Sequence, residues 1–434
     1  MITKIKQLIL FVGDVGVFYL SLGLTLLIRY GIPNAHLDAH LGPFSIICGI
    51  WIILFYSIGL YDIHNLKNSL IFLRQYTIAI FSGTVAAIIL FYIVPYFSIS
   101  PKRTLLLFVG IYILLGLVWR WVFNQIIRAP HRSVTIIGSS DESIELADFI
   151  RKNPQTGLFI QGHFAPQDTK AIQEHLATYH PHVLVCDTAF TEQSLLTQTY
   201  QELFRGTEVI DTTTAYHTIM KKIPLRELDQ MWIMTRASKH KRVYNLIKTF
   251  FDFLCACVFG IIALPFCIII AGIVRCSSRG PIFYTQTRIG KNEKPFTIYK
   301  FRTMRVDAEK NGAQWALGAT DPRATRVGRL LRFMHLDELP QLLNVLKGEV
   351  SLVGPRPERP EFVEKLRADI PYYDLRLLVK PGITGWAQVN HRADLSIEDT
   401  RKKLQYDIYY LKERSVVFDV LIILKTIKMF LFNY

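Results

Sequence analysis

Four long apolar stretches dominate the first 130 residues of the chain. Each holds close to the ~20 residues that an α-helix needs to span a bilayer, and more polar segments separate them. The pattern therefore predicts a four-helix transmembrane domain over residues 1–130, in preference to a buried soluble bundle or a removable signal peptide. The stretches cover residues 8–28, 44–60, 76–96 and 105–127.

The positions of lysine and arginine predict the orientation of these spans. Lys4 and Lys6 precede the first span, Arg128 and Arg132 follow the fourth, and the loop at 31–43 has no residue of either type. Basic flanks stay on the cytoplasmic side, so we expect the amino terminus and the bulk of the chain to lie there. Two basic residues in the third loop count against this orientation.

A different pattern begins at residue 131 and predicts a second domain over 131–225. Short buried strands alternate with amphipathic helices, which is typical of a Rossmann-like parallel sheet. The first strand ends at Gly138, but the acidic Asp141 and Glu142 follow where a dinucleotide fingerprint would have further glycines. The sequence therefore favours a scaffold or regulatory role for this domain and leaves dinucleotide binding as the alternative.

A connector at 226–244 ends in a basic run that includes Lys241 and Arg242, and an almost wholly apolar stretch follows it. Both flanks of that stretch are basic, whereas a plain span places its basic flank on one side. A helix that enters the membrane, breaks at Pro265 and returns to the same face satisfies both observations. We expect such a re-entrant helix over about 248–275, with a plain span as the alternative.

The remaining domain, residues 245–434, has a mixed α/β pattern and ends in an apolar helix that suits the membrane interface. Asp337 and Glu338 open a short amphipathic helix that is expected to stop at Gly348. Alone, such a pair indicates ordinary capping of a helix. Among the many arginines on either side, two carboxylates at the positive end of a helix also suit chemistry on a phosphate.

The composition agrees with a protein that is part membrane and part cytosolic. Half of the 434 residues are hydrophobic, only 20% are charged, and the formal net charge is +15. Anionic lipid or an anionic substrate fits that charge better than nucleic acid, because no nucleic-acid-binding signature accompanies it. The six cysteines form no Cys-x-x-Cys unit, so we expect neither a zinc site nor disulfides.

Five short motifs occur in order in the last domain. Together they resemble the monotopic bacterial phosphoglycosyl transferases, in the long form that adds four spans and a Rossmann-like domain. The resemblance covers roughly residues 240–434. The motifs are RIG at 288–290, YKFRTM at 299–304, LDELPQ at 336–341, SLVGPRPE at 351–358 and KPGITGWAQVN at 380–390.

The resemblance implies transfer of a sugar-1-phosphate from a UDP-sugar to undecaprenyl phosphate, with release of UMP, at the start of exopolysaccharide, capsule or O-antigen synthesis. It places the protein in the bacterial inner membrane with the catalytic domain facing the cytoplasm. Asp337 would be the nucleophile and form a phosphosugar ester, and Glu338 beside it would support Mg²⁺, so that both acids are candidate metal ligands. A membrane-bound regulator or scaffold with an inactive transferase domain is the alternative.

The same resemblance assigns further residues to the substrates. The identity of the sugar stays open, and so does the oligomeric state, for which a homodimer through the Rossmann-like domain is one arrangement. Candidate ligands of the substrate phosphates and nucleotide are Lys300, Arg302, Arg326, Arg356, Glu358 and Gln388. Candidates for the prenyl phosphate and the membrane are Lys241, Arg242, Lys248 and Pro265.

Overall fold

In the computed structural model the chain divides between Thr212 and Thr213 into two units. Most of the predicted connector, residues 229–240, lies outside the described residues. The division precedes the predicted domain boundary at residue 225, because Ile223 and Leu228 pack into a core of the second unit. The structure describes residues 2–31, 34–61, 70–93, 102–126, 132–153, 156–187, 193–228, 241–305, 308, 321–391 and 396–432.

The first unit begins with four long apolar helices, as the hydrophobic pattern predicts. Among the described residues, five helices are long and apolar enough to cross a membrane: these four and a later helix in the second unit. The chain is therefore a membrane protein. The four helices are α1 (Ile2–Tyr30), α2 (Asn34–Ile58), α3 (Leu70–Ile93) and α4 (Lys102–Ile126).

An aromatic cluster packs between these helices. Phe18 of α1 contacts Trp51 of α2 and Phe108 of α4, with ring centroids 5.8 Å and 4.8 Å apart. Tyr112, one turn after Phe108, meets Trp51 edge-on at 4.9 Å. Aromatic pairs in such geometries stabilise a core beyond the area they bury, so the cluster helps to fix which helices are neighbours.

A buried ion pair joins the first and last of the four helices. Asp14 of α1 accepts a hydrogen bond from Arg120 of α4, and the two side chains are only 4% and 1% exposed. Arg120 also donates to the backbone carbonyl of Leu60, just after α2 ends. Charged residues in apolar helices are tolerated when they are paired and hydrogen-bonded, and this pair ties three parts of the bundle together.

Removal of one partner of this pair should destabilise the first unit strongly. We expect Asp14→Ala to cost about 3–5 kcal/mol, because Arg120 would stay buried without its counterion. Thermal unfolding in detergent measures the effect, with Asp148→Ala as the control, since the Asp148–Arg151 pair is exposed and should contribute about 0–1 kcal/mol. Equal effects of the two substitutions would contradict this account.

The rest of the first unit is a parallel α/β domain, which confirms the predicted sheet. Its four strands run in the order β2-β1-β3-β4, all parallel, and Ile137, Leu184 and Ile172 are buried in its core. The elements are β1 (Arg132–Ile137), α5 (Asp141–Lys152), β2 (Leu158–Phe164), α6 (Thr169–Thr178), β3 (Val183–Cys186), α7 (Gln193–Phe204) and β4 (Glu208–Asp211).

The loop after β1 is filled by a side chain of the same domain. The Asp187 carboxylate, just after β3, accepts hydrogen bonds from the backbone N–H groups of Ser139 and Ser140, each at 3.2 Å, and from the Ser140 hydroxyl at 3.1 Å. A Cβ on Gly138 would collide with this carboxylate. In a dinucleotide-binding loop these amides would face a phosphate. An internal anion occupies that position here, which favours the scaffold interpretation.

The second unit consists of helices around two small sheets. The β5–β6 hairpin is antiparallel and the β7–β8 pair is parallel. After α8 (Thr212–Ala215), a π-helix Tyr216–Met220 and a 3-10 helix Leu225–Glu227 come α9 (Arg242–Ser277), β5 (Phe283–Ile289), a 3-10 helix Lys291–Glu293, β6 (Pro295–Phe301) and α10 (Arg326–Phe333). A 3-10 helix Leu336–Gln341, α11 (Leu342–Leu346), β7 (Ser351–Val353) and α12 (Pro360–Asp369) follow. The unit ends with a 3-10 helix Tyr373–Leu378, β8 (Gly382–Thr384), α13 (Trp386–Asn390), α14 (Ile397–Glu413) and α15 (Val416–Phe432).

Helix α9 continues through Pro265 without an interruption in its helical assignment. Its 36 residues would measure about 54 Å if straight, well beyond the ~30 Å of a hydrocarbon core. Ala256 on one side of the proline and Ile270 on the other are both buried in cores of the second unit. Between them Ile261 and Leu264 are exposed. Re-entry of this helix stays a prediction.

Candidate active site

The predicted acidic pair lies on the 3-10 helix Leu336–Gln341, next to the long apolar helix α9. His335 enters this helix with φ 53°, in the left-handed region. Leu336 and Leu339 pack into the core that contains Ile270 of α9. Asp337 is thereby only 7% exposed. The alternation of leucines and acids thus anchors one face of the turn and holds the two carboxylates beside a membrane helix.

Glu338 is fixed by two cations. Its Oε1 accepts a hydrogen bond from Lys300 Nζ at 2.6 Å and another from Arg356 Nη2 at 3.0 Å. Burial opposes ionisation of Glu338, but the two cations outweigh it and hold the pKa of this carboxyl well below its usual range. Charge-assisted hydrogen bonds of this kind are short and strong. Glu338 is therefore an ionised group that orients Lys300 and Arg356.

Asp337 has a different environment from its neighbour. Among the described residues, none donates a hydrogen bond to its carboxylate, whereas burial raises its pKa. The charges of Lys300, Arg332 and Arg356 act against this rise without cancelling it. Two adjacent carboxyl groups whose pKa values move in opposite directions take on different chemical roles. Asp337 is the less solvated and less hydrogen-bonded of the two, as suits a nucleophile.

The lysine that pairs with Glu338 is itself mostly buried, with 16% of its side chain exposed. Burial lowers the pKa of Lys300, and the charge of Glu338 opposes this. Lys300 comes from β6, directly opposite Tyr284 in the hairpin. The position on a strand gives its ammonium a defined place beside both carboxylates.

Close backbone packing brings the Arg356 segment to the site. A Cβ on Gly354 would collide with the backbone around Lys380, and a Cβ on Gly382 would collide with Gly354. The two glycines therefore allow β7 and β8 to approach, with Ser351 opposite Gly382 and Val353 opposite Thr384. This explains why the two motifs that contain these strands are both glycine-bearing.

A cleft adjoins Arg356. Three of the predicted nucleotide ligands, Arg356, Glu358 and Gln388, line it together. Gln388 Nε2 donates to the Ile383 carbonyl, and its buried Oε1 accepts no hydrogen bond from the part of the chain that the structure describes. The structure thus brings these three predicted ligands together at one cleft.

Other predicted ligands lie elsewhere or have structural contacts. Arg302 is buried, and its Nη2 donates to the carbonyl and hydroxyl of Ser278, just past the end of α9. Arg326 is exposed at the first turn of α10. Binding of substrate phosphate by Arg326 stays a prediction. For Arg302 it also stays a prediction, but the hydrogen bonds to Ser278 do not favour it.

The candidates for the prenyl phosphate are spread along α9 and just before it. Lys248 Nζ lies 2.8 Å from Asp419 of α15, and Lys241 Nζ donates to two carbonyls at the end of α14. Arg242 and Pro265 are exposed. The structure does not bring these four residues together, and their contact with lipid stays a prediction.

Two arginines near the site were not among the predicted ligands. Arg332 belongs to an Arg-x-x-Arg series that is visible in the sequence, and its charge acts on Asp337. Arg376 lies in no recognisable motif and donates to the backbone carbonyl of Arg356. No local signal could have identified the second residue, because its role depends on a contact across 20 residues of chain.

Comparison with known proteins matches residues 243–433 to the family model described as bacterial sugar transferase. A UDP-N-acetylgalactosamine-undecaprenyl-phosphate N-acetylgalactosaminephosphotransferase from Aeromonas hydrophila is 44% identical over 192 residues, which are 44% of this chain and 45% of the relative. An undecaprenyl-phosphate glucose phosphotransferase from Komagataeibacter xylinus is 32% identical over 336 residues, 70% of this chain and 60% of the relative. The chain therefore spans less than two thirds of each of these relatives.

A shorter relative is covered almost completely. The uncharacterized sugar transferase EpsL of Bacillus subtilis is 39% identical over 192 residues, which are 43% of this chain and 85% of the relative. The region matched by the family model contains Asp337, Glu338 and Arg356. The chain belongs to the bacterial sugar transferase family, and the resemblance to phosphoglycosyl transferases that the five motifs indicate is confirmed.

Proposed function

We propose that this protein transfers a sugar-1-phosphate from a UDP-sugar to undecaprenyl phosphate and releases UMP. The observation that carries the proposal is the Asp337–Glu338 pair, with Glu338 held by Lys300 and Arg356 and Asp337 left without a donor among the described residues. The relatives from Aeromonas hydrophila and Komagataeibacter xylinus, whose names specify undecaprenyl phosphate, support the acceptor. The product would be the first lipid-linked sugar of a surface polysaccharide.

The reaction would proceed in two displacements on one phosphorus atom. The Asp337 carboxylate attacks the sugar-bearing phosphorus of the UDP-sugar, the bond from that phosphorus to the bridging oxygen breaks, and UMP leaves with that oxygen. A phosphate oxygen of undecaprenyl phosphate then attacks the same phosphorus and displaces the Asp337 carboxylate. Covalent catalysis of this kind divides one difficult transfer into two easier ones.

The cations around the pair would offset the repulsion between a carboxylate and a diphosphate. Lys300 and Arg356 are already placed by Glu338, so they need little rearrangement as charge develops on the departing UMP.

The donor set fits a divalent cation. Mg²⁺ typically binds through one or two carboxylates together with substrate phosphates, and Asp337 and Glu338 are adjacent carboxylates with one Glu338 oxygen outside the contacts to Lys300 and Arg356. These two residues would hold the ion. When bound, Mg²⁺ would neutralise part of the diphosphate charge.

The membrane elements would bring this site to its lipid substrate. The apolar middle of α9 is exposed and both of its ends pack on the same unit, which supports insertion and return at one face. Its basic flank would then lie at the cytoplasmic surface of the inner membrane, where the prenyl phosphate and the soluble UDP-sugar meet.

Release of UMP by the purified full-length protein tests this function. The assay supplies undecaprenyl phosphate, Mg²⁺ and each of several UDP-sugars in turn, among them UDP-glucose, UDP-galactose and UDP-N-acetylgalactosamine. We expect release with a preferred sugar, dependence on the lipid for repeated turnover, and loss of release with a chelator that Mg²⁺ restores. Folded protein in lipid that releases no UMP with any donor would overturn the proposal in favour of an inactive scaffold.

A further inference from the structure

The segment that presents Arg356 is held by its carbonyl groups. Two of its residues, Pro355 and Pro357, have no backbone N–H, so the segment cannot donate the regular series of backbone hydrogen bonds of a β-strand. Four consecutive carbonyl oxygens nevertheless accept hydrogen bonds. Gly382 N donates to the Pro355 carbonyl at 2.9 Å, and Arg376 Nη2 donates to the Arg356 carbonyl at 2.9 Å. Arg288 Nη1 donates to the Pro357 carbonyl at 3.1 Å, and Ile289 N donates to the Glu358 carbonyl at 3.0 Å.

We propose that Arg376 is a positioning residue of the transfer reaction, acting through the backbone of Arg356; the inference rests on the proposed function. Its guanidinium is almost fully buried, with 8% of the side chain exposed. It donates to the carbonyl of Arg356, whose own side chain donates to Glu338. A chain of two arginines thus connects the interior of the unit to the acidic pair.

Three groups fix the guanidinium of Arg376. Nη1 donates to the Tyr373 hydroxyl at 2.7 Å, and Nη2 lies 3.0 Å from Asp407 Oδ2. The Asp407 carboxyl is 2% exposed, and burial raises its pKa to about 6 despite the opposing charge of Arg376. The carboxyl is therefore mostly ionised at neutral pH and supplies the counter-charge. A planar fork of donors can bond to Tyr373 and a carbonyl while its charge stays beside Asp407, whereas a lysine ammonium cannot reproduce that geometry.

The arrangement lets Arg376 affect the reaction through the backbone of Arg356. Arg356 is 38% exposed, so the position of its guanidinium depends on its backbone as well as on its hydrogen bond to Glu338. A misplacement of about 1 Å at a group that orients a reacting phosphate costs on the order of 10²-fold in rate. Loss of the Arg376 bond should therefore appear in turnover.

The test is a double-mutant cycle between the two arginines. We expect Arg376→Lys to lower kcat for UMP release by about 10-fold, with KM for the UDP-sugar within about 2-fold. In the Arg356→Ala background the same substitution should change the rate by less than about 2-fold, because its route of action is gone. Arg367→Lys is the control, since Arg367 is 42% exposed and pairs with Asp374 outside the site; it should leave kcat unchanged.

Amide hydrogen exchange across residues 354–359 supplies a readout without substrate. Exchange should become faster in Arg376→Lys and stay at the wild-type rate in Arg367→Lys. If Arg376→Lys does not fold, Asp407→Asn takes its place, with a smaller loss of kcat, about 3-fold, that again disappears in the Arg356→Ala background. A full loss in both backgrounds, or unchanged kcat and exchange, would overturn the positioning role. A wild type that releases no UMP would refute the proposed function, whereas the exchange comparison would still test the placement of Arg356.

Discussion

Asp337→Asn is expected to lower kcat for UMP release by about 10³-fold or more, since an amide cannot form the phosphosugar ester. The asparagine has nearly the same shape, so the 3-10 helix and the contacts of Glu338 with Lys300 and Arg356 should persist. Steady-state UMP release in lipid nanodiscs measures the loss. Wild-type turnover in Asp337→Asn would exclude the covalent route.

The stability of this variant distinguishes lost chemistry from misfolding. Burial raises the pKa of Asp337 above its ordinary value, so at neutral pH its ionised form favours the unfolded state. Asparagine removes this penalty, and Tm should equal or exceed that of the wild type. Asp374→Asn, an exposed aspartate of the same unit, is the matched control and should keep full activity.

Lys300→Met is expected to lower kcat/KM by about 10²-fold, the usual effect of removing one preorganised electrostatic group. Methionine keeps most of the side-chain volume, but Glu338 loses the nearer of its two cations and Asp337 loses the charge that most favours its ionised form. Lys347→Met is the control, because Lys347 contacts the neighbouring Tyr299 at an exposed position. A comparable loss in the control would contradict the assignment.

The same substitution should change the pH dependence in a defined direction. The wild-type rate falls as the pH drops through the pKa of Asp337, because protonation removes the nucleophile. Lys300 lowers that pKa, so its removal raises the pKa further and moves the acid limb of kcat/KM to higher pH. Profiles of kcat/KM over about pH 5 to 9 test this. An acid limb that stays in place or moves to lower pH would contradict the claim that the charge of Lys300 lowers the pKa of Asp337.

Local patterns predict much of this molecule correctly. The short apolar runs of the strands and the spacing of apolar residues in the helices identify the parallel sheet and the final helix. The acidic pair is recognisable as a candidate active site because the motifs around it supply basic residues that suit a phosphate substrate. Its two cations, Lys300 and Arg356, each come from one of those motifs.

Local patterns do not predict the role of a residue when that role depends on a contact with a distant part of the chain. Arg302 has the charge of a phosphate ligand, but its hydrogen bonds to Ser278 close the end of α9. Lys248 faces Asp419, 171 residues further along. The sequence shows a basic residue in each case, but the partner that determines its role is set by tertiary packing. Motif reading misses Arg376 for the same reason.

The Asp187 carboxylate in the loop after β1 has a consequence for regulation by metabolites. A loop that binds a nucleotide is stabilised by it, and above the dissociation constant this stabilisation grows with the logarithm of the nucleotide concentration. Here the amides of Ser139 and Ser140 are already satisfied within the chain. The two amides therefore need no nucleotide to satisfy their hydrogen bonds.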